Sequence, residues 1–152
     1  MQPIAGYNFG AKLYGRVNKV LKLTIIYATA VTTFGFLVGM LVPDLVVGIF
    51  TSDAELTELS VTGLRITVMF FPIIGFQMVT SNFFQSIGMA GKAIFLSLTR
   101  QMLILLPCLL VLPQFFGVAG VWYSMPVSDL LASLIALVML VCQFRKFRTS
   151  PL

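Results

Sequence analysis

The chain has 152 residues, 59% of them hydrophobic and only 10% charged, with a formal net charge of +5 and no histidine. Soluble domains carry roughly 25% charged residues, so this composition excludes water as the main solvent and leaves no room for a separate catalytic domain. The ten basic residues lie in short clusters beside apolar runs rather than along one face, so they read as topology signals and no nucleic-acid partner is expected.

In chain order, residues 1–12 are mostly apolar but too short to cross a bilayer. They read as the cytoplasmic end of a helix whose earlier turns lie outside the sequence. Leu23 to Pro43 is 21 residues without a charge, roughly 31 Å of helix and one hydrocarbon thickness, which predicts a first span over 20–43. Residues 44–58 gather Asp44, Asp53, Glu55 and Glu58 without a basic residue, an acidic loop in which Thr51-Ser52-Asp53 supplies helix-start chemistry. The uncharged run Ile66 to Gly91 predicts a second span over 59–87, closed by the breaker-rich turn Gly88 to Lys92. A third span is expected over 93–113, carrying Arg100 near its start and Pro107 inside it, and a fourth over 118–144 with Asp129 as its only charge. Residues 145–152 form a basic tail. Nine of the ten basic residues then fall on one side and four of the five acids on the other, so the positive-inside rule places both termini in the cytoplasm of a multi-pass membrane protein. The fold class is an all-α integral membrane bundle of four transmembrane helices.

Two features interrupt this apolar pattern. Gln77, Ser81 and Gln85 recur at a spacing of four, with Asn82 beside them, so one stripe of the second span is polar and should avoid lipid. Either a substrate cavity or hydrogen bonding between helices accounts for it. Asp129 is the one acid deep in an apolar segment and must face protein or water, as a coupling site or as a partner of another helix, Arg100 included. Enzyme chemistry is not expected, because there is no histidine, no converging acid pair and no nucleophile beside a base. No cofactor motif and no metal-ligand set is present.

The opening string Gln2-Pro3-Ile4, Gly6-Tyr7-Asn8 and Gly10-Ala11 resembles the QPI-x-GYN-x-GA motif of multidrug and toxic compound extrusion (MATE) transporters of the bacterial multidrug and DNA-damage-inducible branch. Taken as spacing, Gly6 and Gly10 would let a neighbouring helix approach closely. Further matches follow in the family's order: Ile49-Phe50-Thr51, Phe84-Gln85-Ser86-Ile87-Gly88, Leu98-Thr99-Arg100-Gln101, Gly117 to Trp122 and Pro126 to Asp129. The resemblance implies the last four helices of a twelve-helix, two-lobe transporter in the bacterial inner membrane. It also implies export of amphiphilic or cationic compounds by alternating access in exchange for H+ or Na+, with the N-terminal lobe as the missing partner. The cation-binding branch places an acid on the helix matching the second span, and residues 66–91 contain none. A non-transporting remnant and a lipid-linked sugar flippase of the wider superfamily are the alternative readings.

Overall fold

The computed structural model describes residues 1–149, which fold almost entirely as helix, with no strand among them. Residues 150–152 of the expected basic tail lie outside the described residues. The order is α1 (Gln2–Gly10), α2 (Tyr14–Leu41), α3 (Pro43–Gly48), α4 (Ala54–Val68), α5 (Phe71–Ser86), α6 (Ala90–Leu98), a π-helical turn (Thr99–Leu105), α7 (Leu106–Phe116) and α8 (Val118–Thr149). Three stretches are long and apolar enough to cross a membrane, Tyr14–Leu41, Ala90–Phe116 and Val118–Lys146, and α4 with α5 makes a fourth, bent by 49°.

The helix breaks lie beside prolines, although α7 and α8 carry Pro113 and Pro126 inside them without a break. The first span is expected to run to residue 43, but α2 stops at Leu41, because the ring of Pro43 disfavours helical geometry at Val42 (φ −131°, ψ 45°). Pro43 then opens the short α3 inside the segment expected as loop. Asp53 caps α4, its Oδ1 accepting from the backbone N–H groups of Glu55 at 3.0 Å and Leu56 at 3.2 Å, a contact worth about 1 kcal/mol. The second span, expected as one helix over 59–87, begins at Ala54 and is broken between Val68 and Phe71. Pro72 sits in the first turn of α5, where its missing N–H costs nothing, whereas inside a continuous helix it would remove a bond and clash with the preceding turn. The third span stays continuous but relaxes into the π turn just before Pro107, with the N–H of Leu106 reaching back to the carbonyl of Gln101.

Packing is organised by α5 and α8. Ser124, Ser128, Ala132 and Ala136 are buried at a spacing of four, a ridge of small residues along α8 that lets neighbouring backbones come close. At one end Val17, Leu21, Phe83, Phe84, Leu96 and Leu140 form an apolar core joining α2, α5, α6 and α8. Lys92 lies there over the ring of Phe84, 5.2 Å from its centroid, and donates to Oε1 of Gln143. The outside is the reverse of a soluble protein: Ile26, Val31, Phe34, Leu103, Leu110, Leu134 and Val138 all face outward. Apolar side chains out and hydroxyls in suit hydrocarbon as solvent. The chain is a multi-pass membrane protein.

Candidate functional site

Gln77, Ser81 and Asn82 open with Ser97, Arg100 and Gln101 onto a pocket of about 300 Å³, with Met78 as its apolar wall. Gln77 is itself buried, while Ser81 donates from Oγ to the carbonyl of Ala93 at 3.3 Å and lies 3.3 Å from Oγ of Ser97. The pocket is therefore built across α5, α6 and the π turn, and among the described residues Arg100 is the one ionisable group that lines it.

Behind Arg100 stands Asp129 of α8. The guanidinium Nε and Nη2 both donate to Oδ1, at 2.8 and 2.7 Å, with the Asp129 side chain 4% exposed and that of Arg100 28% exposed. Arg100 lies ten residues from the start of α6 and Asp129 eleven from the start of α8, so each sits roughly 15 Å into its span. The ion pair is thus near mid-depth, where an unpaired charge would be most costly. Asp129 does not line the pocket; it holds Arg100 there.

The residues of the opening motif meet the end of the same wall, through Asn82 and Gln85. α1 packs on the end of α5, with the Gln2 amide donating to Oδ1 of Asn82 at 3.3 Å and Oε1 of Gln85 at 3.2 Å. Gly6 is required by contact: a Cβ there would come within 2.7 Å of the Ser86 carbonyl oxygen. Pro3 lies in the first turn of α1, and Asn8 is buried and donates to the Ile4 carbonyl at 2.8 Å. Tyr7 is 78% exposed. Gly10 corrects the spacing argument, because a Cβ added there meets nothing within 4 Å. Only one of the two glycines receives a neighbour, since helix α1 ends at Gly10 and turns away through Lys12 at φ 59°. Gln85, expected on the same stripe as Gln77 and Ser81, is engaged by Gln2 and does not reach the pocket.

Ser97 and Gln101 escape the sequence reading. Their signal is present, since 97, 100 and 101 share a helical face, but Arg100 reads as a charge at a span's edge until the structure extends that span to Ala90.

Comparison with known proteins bears on this arrangement. The MatE family model matches residues 1–111. The multidrug export protein MepA of Staphylococcus aureus (strain MSSA476) is 25% identical over 135 residues, covering 89% of this chain and 30% of MepA. Among solved structures, the inward-facing conformation of a multidrug resistance MATE family transporter of the MOP superfamily superposes with a TM-score of 0.90 at 20% identity, covering 99% of this chain and 36% of that one. The Vibrio cholerae MATE transporter VcmN in its bent form gives 0.85 at 20% identity, over 96% of this chain and 33% of that one. The chain spans about a third of the length of these relatives, and its fold is that of the corresponding part of a MATE transporter. With its family model covering most of the sequence, the chain belongs to the MatE family.

Proposed function

We propose that this chain is part of a secondary active multidrug efflux antiporter, exporting amphiphilic or cationic compounds in exchange for H+ or Na+ across a bacterial inner membrane, with both termini cytoplasmic. The observation that carries the reading is the polar pocket at mid-depth. A bundle whose outer face is apolar keeps amides, hydroxyls and a guanidinium open to a cavity, at the depth where secondary transporters bind their cargo. The name of MepA, a multidrug export protein, supports the substrate class.

In this reading Gln77, Ser81 and Asn82 form one wall of the transport cavity, completed by the part of the transporter that this chain does not include. Asp129 orients Arg100 rather than carrying the coupling ion, because releasing it would leave two opposite charges unpaired near the bilayer centre. Coupling therefore belongs to the remaining two thirds. The α1 motif, through Gln2 on Asn82 and Gln85, braces the cytoplasmic end of the same wall.

Deleting the gene that encodes these residues is expected to raise ethidium accumulation in its own cells, and restoring it with Gln77→Ala should return only part of the efflux. Unchanged accumulation of every amphiphile tested would overturn the transport reading in favour of a remnant. A defect confined to lipid-linked saccharides would assign a flippase instead.

A further inference from the structure

We infer that Arg100 forms a subsite for a carboxylate, so that the pocket takes zwitterionic amphiphiles in preference to purely cationic ones. The inference rests on the cavity reading above and names the chemical class of its ligand.

A guanidinium has five N–H donors arranged as a side-on and an end-on fork. Arg100 spends its side-on edge on one oxygen of Asp129, through Nε and Nη2. Among the described residues nothing accepts from Nη1 or from the far hydrogen of Nη2, and the side chain lines the pocket while 28% exposed. The free end-on edge matches the two oxygens of a carboxylate, the geometry that makes such pairs both strong and selective.

Three further features favour an anionic group over a cation. The balancing charge, Asp129, is 4% exposed and stands behind Arg100, so a ligand meets the positive end of the pair. Among the described residues no carboxylate lines the pocket to attract an ammonium group. Gln77, Ser81, Asn82 and Gln101 offer amides and hydroxyls, which hydrogen-bond the rest of a zwitterion without charge, and Met78 supplies apolar contact. The guanidinium is also held in advance: with its stem fixed by Asp129, less rotamer freedom is lost on binding.

A matched pair of dyes tests this. Rhodamine 110 carries a free carboxylate, and rhodamine 123 is its cationic methyl ester. With the protein purified from its own membrane into nanodiscs, fluorescence anisotropy is expected to give about tenfold tighter binding of the acid than of the ester, the usual scale of a charge-assisted pair. Arg100→Gln should close that gap. Because Arg100→Gln leaves Asp129 unpaired and risks misfolding, Arg100→Gln with Asp129→Asn serves as the second variant, with intact helix content and a single size-exclusion peak as controls; it too should bind both dyes alike. A folded double variant that still prefers the acid, or a wild-type protein that prefers the ester, overturns the subsite while leaving the cavity reading standing. Failure to bind either dye would overturn both.

Discussion

The unbroken helices and the interrupted ones divide the work of this bundle. α2 and α8 run without a break, and most of what they bury is small or apolar, including Val17, Leu21 and the Ser124, Ser128, Ala132 and Ala136 ridge, with Asp129 and Gln143 of α8 the larger polar exceptions. The α4–α5 pair and the α6–α7 span each change course beside a proline; Ser97, Arg100 and Gln101 of the pocket lie at the π turn, while Gln77, Ser81 and Asn82 lie farther along α5. Unbroken helices with small residues on one face can pack closely along their length. A bend or a π turn re-aims a few side chains away from the packing face and toward a cavity. Asp129 links the two classes, as a charge of an unbroken helix reaching a charge of the interrupted span, each roughly 15 Å from the start of its span.

This contrast is open to test, and the largest effect is expected where the two classes meet. Arg100→Ala leaves the buried Asp129 unpaired and should destabilise the protein by about 3 kcal/mol, seen as a collapse of the thermal midpoint in detergent. Combining it with Asp129→Asn should recover most of that loss. Next comes the frame itself. A Cβ at Gly75 would lie 2.8 Å from Thr32 Oγ1 and 3.0 Å from the Ala28 carbonyl oxygen, so Gly75→Val should force α2 and α5 apart at a cost of about 2 kcal/mol. At the interruption, Pro107→Ala allows a regular helical register through 99–105. Arg100 should then turn from Asp129, and the preference for the acid dye should weaken while the thermal midpoint holds or rises. The smallest effect is expected from Gln2→Ala, which removes two exposed amide contacts and should cost about 0.5 kcal/mol, a shift of the midpoint by at most a few degrees.

Particular residues mark how far the sequence could be read. The apolar runs and the charge clusters between them locate four spans, because hydrocarbon admits only segments that satisfy their own backbone. Asp53 is recognisable as a helix start, and it caps α4. Pro72 carries its message less openly: a proline in the first turn of a helix and one in a kinked interior look alike along an apolar run, so α4 and α5 read as one helix. The same holds for the polar stripe. Gln77, Ser81 and Gln85 lie on one face of α5, yet only the first two reach the pocket, and Gln85 is met instead by Gln2, 83 residues away in sequence.

Composition, span length and charge placement determined on their own that this is an apolar helical bundle, and the opening motif pointed to its family. Those properties depend on sums over many residues and on backbone chemistry, which a linear reading captures. The tertiary structure chose the Arg100 pairing among the readings the sequence left open for Asp129, and it alone decided that Ser97 and Gln101 complete a pocket with Gln77 and that Gly6 rather than Gly10 takes the neighbouring helix. Each of these turns on a rotation of one helix against another, where a single residue of register moves a side chain by about 100° around the axis. No sum over the sequence carries that angle.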